Sequence, residues 1–253
     1  MNKSGLLADT GRIFYGAAIA ALGFLTIYHR DLPYMLIPAR HPWLKAHVFL
    51  IYASGVLLLT AGVCIILKKK PRQVARLLGI ALLLIFCFYF VPYMLALSAR
   101  YSHFGAWENS AKELALAGGA LLIAGYRRIG ARIYALMIIS FSIDHFLYAH
   151  EAAGYMPGWI GQPVFWLYFC GAALLAAGIA ILIRMKVKLA ATLLGSMILS
   201  WVIIVHIPKM MAAPFAQNEG EVTSGFIALA YSGIAFIIAA EAGSNRGFRT
   251  SVI

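Results

Sequence analysis

The chain has 253 residues, 62% of them hydrophobic and 12% charged, with 21 Lys and Arg against 9 Asp and Glu. A soluble domain carries charge on about a quarter of its residues, so a water-soluble globular protein is excluded. The class is all-α, a polytopic membrane protein. A net charge of +12 would suggest a nucleic-acid partner in a soluble protein; in a membrane protein its distribution has to be read as topology first.

In chain order, apolar stretches at roughly 12–29, 45–67, 74–98, 110–126, 131–149, 161–183, 188–212 and 222–241 predict eight transmembrane helices, each near the ~20 residues needed to cross hydrocarbon. The first has a basic flank but no small-residue cleavage site after it, and reads as a retained span. The loops are short, leaving no separate soluble domain. Fifteen Lys and Arg, from Lys3 and Arg12 through the clusters at 68–76, 127–132 and 184–188 to Arg249, fall on one side of this topology. Six, namely Arg30, Arg40, Lys45, Arg100, Lys112 and Lys209, fall on the other. The basic side is expected in the cytoplasm with both termini, and the excess charge is expected to meet anionic lipid, not nucleic acid.

The chain contains an internal repeat. Shifted by 116 residues, segment 48–96 aligns with 164–212, matching Phe49 with Phe165, Tyr52 with Tyr168, Gly55 with Gly171, Gly62 with Gly178, Gly79 with Gly195 and Pro92 with Pro208. Shared hydrophobicity alone would not align glycines and prolines. Upstream, "GRIFYG" at 11–16 meets "ARIYAL" at 131–136. The expected organisation is two four-helix units, 1–128 and 129–253, related by an axis along the membrane normal because an even number of spans returns the chain to the same side. The paired glycines are seven residues apart, hence on one helical face, and read as packing sites. Pro92 and Pro208 each remove a donor late in the third span and are expected to kink it.

The two units differ in polarity. "SFSIDHFLYAHEAAGYMPGW", 140–159, places Asp144 and His145 in a greasy helix, with His150 and Glu151 closing it. The alignment sets Asp144 and His145 against residues around Gly23, Phe24 and Leu25, His206 against Phe90, and Lys209 against Tyr93. An intramembrane charge costs roughly 2.5–3.5 kcal/mol on insertion scales, so a bundle-facing partner is expected. The candidate ligand-binding set is Asp144, His145, His206 and Lys209, with His150 and Glu151 beside it. The first and third spans of the second unit would then be neighbours around a polar pocket, while Phe24, Phe90 and Tyr93 fill its counterpart in the first unit. Metal or haem binding is not favoured: His145 and His150 are five apart, about 140° around a helix, and no Glu-x-x-His is present. Cys64, Cys87 and Cys170 form no C-x-x-C pair, and no phosphate-binding, nucleophile-elbow or dinucleotide motif occurs.

The second unit, "RIYALMIISFSIDHFLYAHEAAGYMPGWIGQPVFWLYFCGAALLAAGIAILI" followed by "KLAATLLGSMILSWVIIVHIPKMM", resembles bacterial DoxX-like membrane proteins. The features that carry the resemblance are the R-I-[FY] start, the H-F after the first apolar run, the W-I before [FW]-W-x-Y-x-x-G, and H-[ILV]-P in the third span. The resemblance implies a four-helix membrane bundle in a bacterial inner membrane and, through members tied to thiosulfate:quinone oxidation or membrane redox complexes, a redox-complex subunit meeting the quinone pool. Doubling of the unit, and the missing cysteines of disulfide-handling relatives, set this chain apart. Three readings stay open: a subunit binding a quinone or similar lipophilic ligand, a structural or assembly subunit docking a partner protein, and a small-molecule or proton transporter.

Overall fold

The computed structural model describes residues 3–33, 37, 46–97, 102–212 and 219–244. Among them are eight long helices: α1 Lys3–His29, α2 Val48–Ile66, α3 Pro71–Ile85, α4 Phe104–Ala124, α5 Arg127–Leu147, α6 Pro163–Leu182, α7 Val187–Trp201 and α8 Glu219–Gly243. No strand occurs among the described residues. Seven of the helices, taking α3 on to Ala96 and α7 on to Met211, are long and apolar enough to cross a membrane. The protein is a multi-pass, all-α membrane protein.

The helix outside that set is α4, whose 21 residues include Glu108, Lys112 and Glu113. Its place in the fold explains the charges. Helix α4 packs against α3, α5 and α8, and α8 packs against α1, α4 and α7, so these two helices occupy the centre and are surrounded by protein. Helix α8 buries residues on every side between Val222 and Ala240. The outer helices instead present large apolar side chains, such as Leu57 at 70% exposed, Leu77 at 68% and Phe88 at 78%, a surface suited to lipid and not to water.

The packing partners follow one rule. Helix α1 lies against α2 and α8, and α5 against α6 and α4; α3 lies against α2 and α4, and α7 against α6 and α8. The first helix of each half therefore packs along the last helix of the other half. Both of these crossings are backbone to backbone at glycine. A Cβ on Gly11 would sit 2.4 Å from the Gly233 carbonyl oxygen, and one on Gly130 would sit 2.4 Å from that of Gly118. The glycines of α2 and α6 behave alike: Gly62 meets the Gly16 carbonyl at 2.4 Å and Gly178 the Ala135 carbonyl at 3.1 Å. Two fully buried tyrosines tie these layers, Tyr15 donating to the Leu116 carbonyl and Tyr134 to the Tyr231 carbonyl, both at 2.7 Å.

These contacts correct the alignment of the first helices. "GRIFYG" against "ARIYAL" sets Tyr15 opposite Ala135, whereas the geometry matches Gly11 with Gly130 and Tyr15 with Tyr134. The register is decided by where the backbone must come close and where a buried hydroxyl finds a carbonyl, not by the apolar residues between.

Local structure recurs in the third helices as well. The preceding turns hold Lys68 and Lys70 at φ 58° and 47°, and Arg184 and Lys186 at φ 62° and 49°. Ahead of each proline comes a π-helical turn, Phe86–Phe90 before Pro92 and Val202–His206 before Pro208. Proline lacks the N–H for an ordinary helical bond and its ring presses on the carbonyl four residues back; a π turn relieves both by adding a residue to the loop of the bond.

Candidate functional site

The polar residues of the second half sit at the end of the bundle where α5 finishes and α4 and α8 begin. Asp144, near the end of α5, reaches the first turn of α4: its Oδ1 lies 3.5 Å from the position of a Cβ on Gly105. The rings of His103 and Tyr148 stack there at 5.3 Å. That oxygen is buried and accepts no hydrogen bond. Lys112, His145 and His103 lie within electrostatic reach of Asp144. Lys112, two turns into α4, is 3.5 Å from the buried carboxylate of Glu108, and its carbonyl accepts from the Tyr231 hydroxyl at 3.3 Å.

His145 turns away from α4. Its Nδ1 is 2.8 Å from the Phe141 carbonyl, and because a carbonyl can only accept, Nδ1 carries a proton. Its Cβ packs on Gly171 of α6. Thr26 does the same in the first half, donating from Oγ1 to the Leu22 carbonyl at 2.8 Å, beside Gly55 of α2.

His206 is the last residue of the π turn Val202–His206, and its Cβ faces Gly225 of α8. Its Nδ1 is buried with no hydrogen-bond partner. One turn on, Lys209 is 3.8 Å from Glu221 and its Nζ stands 3.2 Å from the centre of the Tyr155 ring. The Tyr155 hydroxyl donates to Glu221; burial, then that bond, push its phenol above the ordinary value.

The expected set thus divides. Asp144 belongs with α4 and His145 with α6, while His206 and Lys209 belong with α8 and the Tyr155 loop. Helices α5 and α7 are not packing neighbours; α6 lies between them on one side and α4 with α8 on the other. Lys209 answers Glu221, not Asp144. Lys112, paired with Glu108, lies within electrostatic reach of Asp144, His145 and His206. His150 and Glu151, on the five-residue helix Ala149–Ala153, are exposed and form a rim.

Two further polar residues of this half are enclosed. Ser142 and Thr223 are buried, and neither Oγ has a hydrogen-bond partner. Four unpartnered polar atoms, on Ser142, Asp144, His206 and Thr223, therefore come from three helices in this half. Unpaired buried polar groups are rare enough that each calls for an explanation. In the sequence, Glu108 and Lys112 were detectable as an i, i+4 ion pair in an apolar segment; Ser142 and Thr223 gave no signal.

In the first half Phe24 departs from the expected position while Phe90 keeps it. Phe24 is 49% exposed and points outward; the places of Asp144 and His145 fall to Leu25 and Thr26, both buried, and that of His206 to Phe90. Glu113 of α4, fully buried, has neither carboxyl oxygen hydrogen-bonded.

On the lipid-facing side of α6 and α7, Trp166, Phe169, Trp201 and Trp159 line a groove of about 400 Å³. Trp201 Nε1 donates to Cys170 Sγ at 3.0 Å in its floor. Cys170 adjoins Gly171, on which His145 packs.

Comparison with known proteins gives no relative. No family model, no curated protein and no solved structure matches this chain.

Proposed function

We propose that the chain is a DoxX-like inner-membrane subunit of two four-helix repeats, with α4 as the eighth span, and that its second repeat binds the head of a quinone or similar lipophilic ligand. The observation that carries this reading is the set of four buried, unpartnered polar atoms on Ser142, Asp144, His206 and Thr223, of which Asp144 and His206 lie within electrostatic reach of Lys112. A quinone carbonyl only accepts, and Ser142, Thr223 and His206 supply donors; a quinol hydroxyl donates, and Asp144 supplies the acceptor. His145 is held to the Phe141 carbonyl through Nδ1, which leaves the donor role to His206. The aromatic groove beside Cys170 gives a ring or isoprenoid tail an apolar bed open to the bilayer.

The repeat is supported by the matched glycine crossings, tyrosine bonds, turns and π turns of the two halves. Cytoplasmic termini rest on the Lys and Arg asymmetry. Reporter fusions at Lys69, Arg128 and Met185 should then report cytoplasm, and those at Met156 and at Ala39, which lies outside the described residues, the opposite side.

The binding test is calorimetric titration of the purified full chain with decylubiquinone. Asp144→Asn and His206→Phe should each weaken binding about tenfold, the effect of stranding one buried polar partner, while Thr26→Ala in the first half leaves it unchanged. Absence of binding, or variants that bind as the parent does, would end the quinone reading. The partner-docking reading has one observation in its favour: Trp159 is 71% exposed on the loop that also exposes His150 and Glu151. It gains if decylubiquinone fails to bind and Trp159→Ala releases a co-purifying subunit.

A further inference from the structure

The unpartnered polar atoms on Ser142, Asp144, His206 and Thr223 have almost no access to solvent. A ligand head can meet them only if some element moves. Beside them runs the loop 154–162, between the short helix Ala149–Ala153 and α6. None of its residues is buried and most are exposed. The main-chain bonds along it are local turns: the Met156 N–H donates to the Ala153 carbonyl at 3.2 Å, and the Ile160 N–H to that of Pro157 at 2.9 Å. A segment with little burial and exposed, local hydrogen bonds opens more readily than the helices around it.

Two contacts hold the loop down. The Tyr155 hydroxyl donates to Glu221, in the first turn of α8, while Lys209 Nζ stands 3.2 Å over the face of the Tyr155 ring and 3.8 Å from Glu221. One loop side chain is thus clasped between a carboxylate from α8 and an ammonium from the end of α7. Farther along, Trp159 and Ile160 line the aromatic groove with Trp166 and Trp201, but Trp159 stays 71% exposed. The specific hold is the clasp at Tyr155.

This clasp borders the enclosed atoms. Glu221 precedes Thr223 by two residues and Lys209 follows His206 by three, and both charges lie within electrostatic reach of His206. The loop can also swing. A Cβ at Gly158 or Gly161 would meet nothing within 4 Å, and at the α6 end Gln162 is in the left-handed conformation, φ 52°. A few positions at the end of a loop that absorb a large change in φ and ψ suffice for a hinge.

We infer that residues 154–162 form a lid over the polar site, latched by Tyr155 to Glu221 and Lys209, and that the latch releases before a ligand head reaches His206 and Thr223. Because Trp159 and Ile160 belong to the same loop, the aromatic groove and the polar pocket open together. The inference rests on the quinone reading only for what passes beneath the lid.

The test is cysteine accessibility in the purified full chain. Thr223→Cys is treated with a charged, water-soluble maleimide and the label is followed peptide by peptide by mass spectrometry, so that Cys64, Cys87 and Cys170 are read separately. Labelling at position 223 should be slow in T223C and about tenfold faster in T223C/Y155F, the low end for losing a hydrogen bond to a charged group. T223C/Y168F, altered at an exposed tyrosine of α6, should label like T223C. Should Thr223→Cys fail to fold, amide exchange of 154–162 replaces it: Tyr155→Phe should speed exchange about tenfold and Tyr168→Phe should not. Decylubiquinone separates the lid from its use. Faster labelling in T223C/Y155F without decylubiquinone binding to the parent chain would keep the lid and end the quinone reading; binding, with labelling unchanged by Tyr155→Phe, would do the reverse. Labelling equally fast or equally absent with and without the Tyr155 hydroxyl, or unchanged amide exchange in Tyr155→Phe, would overturn the lid.

Discussion

The two halves of the chain repeat several local features and differ in the polar residues beside them. Thr26 and His145 make the same bond to the carbonyl four residues back, at 2.8 Å in each case, with a glycine of the next helix against their Cβ atoms. Leu25 and Asp144 precede them, and Phe90 and His206 end the same π turn. Backbone geometry was kept while apolar side chains were exchanged for titratable ones. The difference teaches that the polar groups of the second half are not required by the fold, since the first half makes the same turns and crossings without them. Conversely the first half keeps a buried carboxyl, Glu113, where the register puts Ala228 in the second. Each half is polar where the other is not.

The comparison breaks most easily at the glycine crossings. Gly130→Val and Gly11→Val should each destabilise the protein by about 3 kcal/mol or more, since the added carbons meet a carbonyl and not a flexible side chain; unfolding in detergent would measure it. A large effect at one crossing and none at the other would mean that the halves are not equivalent. Next comes the central helix. Lys112→Met should lower stability by about 2 kcal/mol, because Glu108 stays buried without its cation, and Glu108→Gln in the same chain should recover much of the loss. Tyr15→Phe and Tyr134→Phe should cost about 1–1.5 kcal/mol apiece, the same in both halves, by removing a buried hydroxyl from a carbonyl. The smallest effect sharpens the comparison most. His145→Thr copies the first half into the second and should change stability by less than about 1 kcal/mol, because the threonine hydroxyl can take over the bond to Phe141. A larger loss would give His145 a role in the fold that Thr26 does not have.

Much of the fold could be read before any coordinates. Long apolar runs can satisfy their backbone in lipid only as helices, so Pro163–Leu182 or Val48–Ile66 could be little else, and the glycines of α2 and α6 announced close packing by their spacing. Helix α4 was harder: its charges argue against lipid, and only its place between α3, α5 and α8 shows why a charged helix lies inside the bundle. The candidate site was legible in part. Asp144 and His206 stood out because each is costly in an apolar segment, but a one-dimensional pattern does not say which charge meets which. That Lys209 faces Glu221, and Lys112 Glu108, is decided by helices side by side.

The sequence by itself determined the class, the helices, the repeated segment and the unusual polarity of the second half, because each depends on local composition, spacing and the cost of leaving water. The tertiary structure decided the register of α1 against α5, the interlocking of each first helix with the other half's last, and the division of the polar residues around Lys112. Those follow from which backbones can approach within van der Waals distance and which buried donors find acceptors, and these are properties of helices side by side that no single helix carries.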